Sequence, residues 1–338
     1  MSRRKDRHEI DMTQGSLLPA LISFAIPVIL SGILQLAFNA ADLIVVGRFA
    51  GENCLAAVVS NTALISLLVN IMLGICTGTS VMTARFYGAK DAEQLSETVH
   101  TSIITGFAGG VIIGVVGIAV ADPLLTLMGT PPEVLPLAAV YLRIYFAGLP
   151  VMQLYNFASA ILKAVGDSKR PLYYLTAAGV LNVGMNLFFV IVMHMDVAGG
   201  ALATVLSQVV SCVLTLMALF RAKGDYRLEF RKLRFSWTAF KPIIRIGLPA
   251  GIQSSMFSIS NVIIQSTINS FGAMVMAGNS AAASIEAFMF TSLDAVNQSS
   301  VASVSQNMGA RSPKRVRQAV IICLAMEFII AAVMGGTI

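Results

Sequence analysis

Charge is what this sequence is short of. Only 12% of its 338 residues are Asp, Glu, Lys or Arg, against about 25% in a soluble globular domain. The scarcity is patterned: residues 12–41, 53–84, 98–121, 144–162, 171–195, 197–220 and 246–285 contain no charged side chain. A bilayer crossing takes roughly 20 apolar residues, so most of these runs are one span each and the last holds parts of two. A soluble fold is excluded. The chain is expected to be an all-α polytopic membrane protein embedded in a lipid bilayer.

Catalytic signatures are also missing. There is no G-x-x-x-x-G-K-[ST], so the chain is not expected to hydrolyse nucleotide itself. RHEIDM at 7–12 lacks the second histidine of H-E-x-x-H, G-x-S-x-G is absent, and His8, His100 and His194 are scattered. Without a nucleophile–base or metal constellation, the chain is read as no enzyme, with no cofactor and no resident metal. Cys54, Cys76, Cys212 and Cys323 follow no spacing motif and predict neither a metal site nor a disulfide. The basic tail MSRRKDRHEID precedes an apolar stretch far longer than a signal-peptide core of about 7–15 residues, so the first span is expected to act as an uncleaved anchor.

What is present can be ordered. Spans are predicted near 17–45, 54–84, 97–120, 135–160, 171–194, 198–220, 243–267, 274–306 and 317–338. Twenty of the 23 lysines and arginines fall in the N-terminal tail and in alternate loops, Arg48 lies on the other side, and Arg143 and Arg245 lie within spans. By the positive-inside rule the N-terminus is cytoplasmic in a cell (plasma) membrane. The sequence pI of about 9.3 follows from this topology, and no nucleic-acid partner is expected.

A repeat is visible. FAIPVIL (24–30) resembles RIGLPAG (245–251), pairing Pro27 with Pro249; RFYGAK (85–90) resembles QNMGAR (306–311), pairing Gly88 with Gly309. The offset is nearly constant, and Gly51/Gly272 and Ala56/Ala277 fit it. Duplication of a six-helix unit is the reading, with both copies inserted in the same orientation. The predicted organisation is a cytoplasmic tail (1–16), a six-span lobe (17–220), a basic linker (221–242) and a partial three-span lobe (243–338). The sequence is therefore expected to be a fragment lacking about three helices, with a nine-helix protein that dimerises as the alternative.

Polar residues inside the spans carry the functional signal. Ser31, Gln35, Asn39 and Asp42 step along one face of the first span, and Asn182 and Asn186 share a face of the fifth. Thr204, Ser207, Gln208 and Ser211 do so in the sixth. The seventh carries Ser254, Ser258, Asn261, Gln265 and Asn269, the eighth Glu286, Asp294, Asn297 and Gln298. Lipid penalises such faces, so they are expected to meet one another or water; hydrogen bonding between helices is the alternative for most Ser and Thr. An ionised Asp at mid-membrane costs roughly 2.5–3.5 kcal/mol on insertion scales. Protonation or a bound cation would relieve Asp42, which makes it a candidate coupling-ion site; the alternative is an interfacial residue satisfied by water or Arg48. Glu286 divides between function and a solvated chamber wall. Asp294 reads as mainly structural, and Arg143 as a partner for neighbouring helices. The G-x-x-x-G spacings Gly106/Gly110, Gly110/Gly114 and Gly247/Gly251 predict close helix packing.

PVILSGILQLAFNAADLIVVGRFAG, YLRIYFAGLPVMQLYNFASAILKAVGDSKRPL, GGALATVLSQ and SQNMGA together resemble the multidrug and toxic compound extrusion (MATE) transporters, prokaryotic branch, across essentially the whole chain. The resemblance implies two six-helix bundles facing each other across a cleft and export of organic cations and amphipathic compounds by antiport with H+ or Na+. It also implies a monomer at full length, and twelve helices, in agreement with the fragment expectation. Asp42 matches the family's cation-coupling aspartate, Pro27 a first-helix proline associated with bending, and Asn182 and Thr204 its polar neighbours. Asn186 stands where many prokaryotic members carry a second aspartate, so the choice between proton and Na+ at Asp42 stays open. Phe257 stands where another branch has a glutamate. The expected sites are Asp42, Asn182, Asn186 and Thr204 for the coupling ion, and Gln35, Asn39, Asn261, Gln265 and Glu286 for the substrate cleft. Two rivals remain: a lipid-linked precursor flippase, disfavoured because the charges expected to face the cleft are mostly acidic, and a non-transporting scaffold or receptor.

Overall fold

Apolar runs mark where lipid must be met, but a helix continues until something ends it. In the computed structural model, which describes residues 9–269 and 273–337, most helices outrun the predicted spans at one or both ends. Side chains are described there except at scattered positions within 52–67 and 262–284 and at Thr337. The described residues form α1 (Leu17–Phe49), α2 (Glu52–Ala89), α3 (Ala92–Leu127), α4 (Leu135–Ala164), α5 (Lys169–Leu187), α6 (Asp196–Phe220), α7 (Trp237–Asn269), α8 (Ala273–Gly309) and α9 (Pro313–Thr337), with no strand among them. Asp91 starts α3 by accepting from Gln94 N at 3.1 Å, satisfying one of the amides a helix start leaves bare. Ser236 begins α7 in the same way, accepting from Ala239 N at 3.4 Å. The basic segment between α6 and α7 therefore spans 221–236, shorter than predicted, because Trp237–Lys241 is an amphipathic first turn that hydropathy alone assigns to the loop.

Six elements carry a window apolar enough to cross a membrane: α1, α3, α4, α5 with its π-helical extension Phe188–Val192, α6 and α9. The remaining three, α2, α7 and α8, are the ones that meet at the centre, where α2 packs on α7 and α8, and α1 on α8. Their polar residues are tolerated because they face protein or a water-accessible space. Around them α3 packs on α4, α4 on α6, α5 on α6 and α1, and α9 on α8.

Small residues set how closely these helices approach. Along α3, Gly110 and Gly114 lie against the α4 backbone at Leu149–Pro150 and Phe146. Across the centre, Gly247 and Gly251 of α7 meet Gly74 and Ile75 of α2, while Gly78 meets the carbonyl of Ile243. A Cβ at any of these glycines would press into backbone.

The repeat has a geometric counterpart at the helix ends that bear the N-terminus. A Cβ on Gly88 would overlap the Gln306 carbonyl, and one on Gly309 would overlap the Arg85 carbonyl. These are the same pair of repeat positions used reciprocally. Just past the ends of the two helices, Lys90 and Arg311 both adopt left-handed backbone, at φ +58 and +55.

The N-terminal segment is more than a solvated tail. Met12 N donates to Gln306 Oε1 at 3.0 Å, and Gln306 Nε2 donates to the Ala164 carbonyl of α4 at 2.9 Å. Asn307 Nδ2 and Arg315 both reach the Met12 carbonyl, at 3.1 and 3.0 Å. Glu9 accepts from Tyr87 at 3.0 Å and from Tyr226 at 2.7 Å. Residues 9–15 thus strap α8 and α9 to the first six helices on the basic face.

On the opposite face Arg143 of α4 donates to the Asp122 carboxylate of α3. Both side chains are about half exposed, at 49% and 48%. A pair this wet contributes about 0–1 kcal/mol, so Arg143→Met should move the thermal unfolding midpoint of the purified protein by no more than a couple of degrees.

Candidate functional site

Two polar regions share α1. The first surrounds Asp42. Asn182 and Asn186 lie one turn apart near the end of α5 and are buried, at 5% and 0% exposure, just before the helix loosens into the π-helical turn Phe188–Val192. Such turns recur at functional sites. Asn186 Nδ2 donates to Asp42 Oδ1 at 2.6 Å. Among the described residues no lysine or arginine pairs with Asp42, so Arg48 does not satisfy it. The amide oxygens of Asn182 and Asn186 are buried without a donor. Gly200 of α6 leaves room beside the Asn186 oxygen. Tyr141 stands within electrostatic reach of Asp42. A carboxylate bonded to an amide whose own oxygen lacks a donor, with a second such amide one turn away on α5, offers oxygen ligands of the kind a hard cation prefers.

Thr204 is near this region in the fold, but its hydroxyl donates to the Gly200 carbonyl at 3.0 Å. Its oxygen keeps lone pairs, while its proton is committed to its own helix.

The second region is a cavity of about 670 Å³ between α1, α2, α4, α5, α7 and α8. Pro27 lies just below it in α1, which runs through the proline without interruption. Ser31, one turn on, donates to the Pro27 carbonyl at 2.8 Å and also lines the cavity, as does Gln35. Across from them Asn70 of α2 donates to Ser258 of α7 at 2.9 Å, joining the two sides of the cavity. Asn39, Asn261 and Glu286 do not line it: all three are exposed further toward the face opposite the tail. The side chain of Gln265 lies outside the described residues.

The charges that do line the cavity are Lys163 and Asp294. This corrects the expectation of a mostly acidic cleft. Lys163 reads in sequence as a loop residue contributing to topology; it occupies the last turn of α4 and donates to Gln298 Oε1 at 3.0 Å. Asp294 reads as structural, yet Gln298 Nε2 donates to it at 2.7 Å. The signal was available: Asn156, Ser159 and Lys163 step by three and four, one polar face of α4. The four cysteines are buried and unpaired. Among the described residues no cluster of three or more His, Cys, Asp or Glu is placed to hold a metal ion.

A two-region core of this kind, around a central cavity on paired helical repeats, has close parallels among known proteins. The family model MatE matches residues 27–188 and 249–337. The probable multidrug resistance protein YpnP of Bacillus subtilis is 30% identical over 309 residues, covering 90% of this chain and 68% of that protein. YoeA of the same organism, also a probable multidrug resistance protein, is 30% identical over 333 residues, covering 95% and 71%. A solved MOP superfamily transporter from Pyrococcus furiosus superposes with a TM-score of 0.90 at 25% identity, over 98% of this chain and 73% of that one. The family match takes in most of the described helices on both sides of the cavity, and the chain belongs to the MatE family of multidrug and toxic compound extrusion transporters.

Proposed function

We propose that the chain exports small organic, amphipathic compounds from the cytoplasm by antiport, with H+ or Na+ taken up at Asp42. The observation that carries this reading is the state of Asp42: a carboxylate inside a span, held by the neutral amide of Asn186, whose own oxygen is buried without a donor. An ionised carboxylate so placed is costly, and cation uptake removes the cost. Helix α1 links this site to the cavity, since Gln35 and Ser31 lie about two and three turns from Asp42 on the same helix. It also packs against α5 on one side and α8 on the other. A change at Asp42 therefore reaches a helix that borders the transported solute, which is what exchange of two ligands through one bistable element requires. The tail, the loops at its level and the strap of residues 9–15 lie on the cytoplasmic side in this reading, and the conformation described is closed there. Residues 17–220 and 237–338 act as two lobes joined by the basic segment between them.

The donor-free oxygen of Asn186, on the amide that touches Asp42, and that of Asn182 one turn away are the ground for proposing Na+ before a proton, because a proton needs a single oxygen and a metal ion needs several. In proteoliposomes holding the purified protein, an imposed inward Na+ gradient should drive efflux of an amphipathic dye. Asn182→Leu should raise the Na+ concentration for half-maximal efflux, by about tenfold if it counts like the supporting groups of other metal sites. Efflux that follows a pH gradient and ignores Na+ in both proteins would assign the proton instead. Efflux with neither gradient would remove the antiport reading.

A further inference from the structure

Two opposite charges stand in the cavity without touching. Lys163 Nζ donates to Gln298 Oε1 at 3.0 Å, and Gln298 Nε2 donates to Asp294 Oδ2 at 2.7 Å, so one neutral amide is interposed between ammonium and carboxylate. An ammonium has three donors and a carboxylate several lone pairs. Among the described residues Gln298 is the only hydrogen-bond partner of either. A pair whose sole task is mutual neutralisation gains most in direct contact, where Coulomb attraction is largest. Here the spare donors of Lys163 and the spare oxygen of Asp294 belong to side chains lining a volume of about 670 Å³, within the range of about 300–1,000 Å³ typical of small-molecule sites. The rest of the lining is neutral: amides at Gln35, Asn70 and Asn297, and apolar surface such as Phe290 and Leu175. The site is built from both sides, Lys163 coming from α4 and Asp294 from α8.

We propose that Lys163 is the anion contact of this cavity and that its solutes are zwitterions: amphipathic bodies bearing an acidic group that Lys163 receives and a cationic group that Asp294 receives. The inference rests on the reading of the cavity as the transport site and narrows its substrate class, since a simple cation would satisfy Asp294 and leave Lys163 facing like charge.

Rhodamine B and its ethyl ester test this, being the same fluorescent cation with and without a free carboxylate. Binding of each to the purified full chain is followed by fluorescence anisotropy. The wild type should hold rhodamine B about tenfold or more tighter than the ester, the scale of one hydrogen bond to a charged group. Lys163→Met should bring the two dyes to near parity, and Lys163→Arg should keep the preference. Gln298→Glu gives the ammonium a carboxylate of its own and should also reduce the preference, which covers the case of a Lys163→Met protein that does not fold. Equal affinity in the wild type, or a preference that survives both Lys163→Met and Gln298→Glu, overturns the anion contact while leaving the transport site standing. Failure of both dyes to bind the wild type counts against the cavity as a transport site, and this inference falls with it.

Discussion

Asp42→Asn will reduce ion-driven efflux to the level of vesicles without protein. The substitution preserves the shape of the side chain and an oxygen for the Asn186 amide to donate to, so insertion and folding should survive. What it removes is the ability to carry a charge that can be neutralised. A carboxylate offers the cation a full negative charge, whereas an amide offers only a dipole, and in a region poor in water that difference is large. The neutral side chain also no longer bears the cost of roughly 2.5–3.5 kcal/mol that an ionised aspartate incurs in a membrane. Helix α1 then has no ion-dependent reason to leave one of its states, and an effector that does not discriminate between two states shifts neither. Dye binding at the cavity should persist, because Asp42 does not line it. The measurement is a paired one: anisotropy for dye binding, and gradient-driven dye loss from proteoliposomes. Efflux undiminished in the variant would sink the coupling role; loss of binding together with efflux would mean that Asp42 acts through the fold.

That Asp42 would meet a polar partner was readable because it interrupts an environment where charge is absent: it follows thirty residues without one and completes a stripe at helical spacing. Asn186, on the polar face it shares with Asn182, is the partner the structure shows. The same logic failed at Lys163. It stands a few residues from Lys169 and Arg170, and a lysine beside a basic loop looks like topology whatever its side chain meets. Only the packing of α4 against α2, and the cavity they share with α8, places it beside Gln298. Glu286 shows the converse: an acid in an apolar stretch marks a polar position, but only packing says whether it borders the cavity, and its side chain is exposed outside that lining.

Glycine spacing told a similar half-truth. Gly247 and Gly251 announced that α7 would be approached closely, which it is, but a spacing names no partner; that Gly74 and Gly78 of α2 supply the other surface is a fact of tertiary structure. The strap at residues 9–15 was not legible at all. Its affinity for Gln306 and Asn307 lies in backbone atoms of Met12, and backbone donors and acceptors are common to every residue. Gln306 and Asn307 stood out in the repeat QNMGAR, but nothing there showed that both are fully buried or what they hold. The helical class, in contrast, followed almost entirely from where charge is missing, because a membrane tolerates few ways of satisfying a backbone.

Gly88→Val should separate the two sides of the molecule on the face that bears the N-terminus. A Cβ at this position has nowhere to go, since it meets the carbonyl of Gln306, a backbone atom on a helix pinned by Met12 and Ala164. Backbone cannot rotate aside as a long side chain would. Overpacking typically costs about 1–3 kcal/mol, and this cost falls only on the conformation in which α2 and α8 touch here. The fold of each side should be little affected, because the three atoms nearest such a Cβ all belong to Gln306, across the centre. The equilibrium between a conformation closed on this face and one open there should therefore move toward the open one by roughly ten- to hundredfold. Cys76 reports it: the thiol is buried but lines the cavity, so opening this face should raise its rate of alkylation by a polar maleimide added from the tail side. Gly309→Val should act in the same way, since its Cβ would meet the Arg85 carbonyl by the reciprocal contact. Cys54, Cys212 and Cys323 do not line the cavity and should label no faster in either variant. Efflux should fall in both, because alternation between two states fails when one of them is excluded. Unchanged labelling of Cys76 with wild-type efflux would show that the helices can slide past the added methyl groups, and that this contact does not hold the face closed.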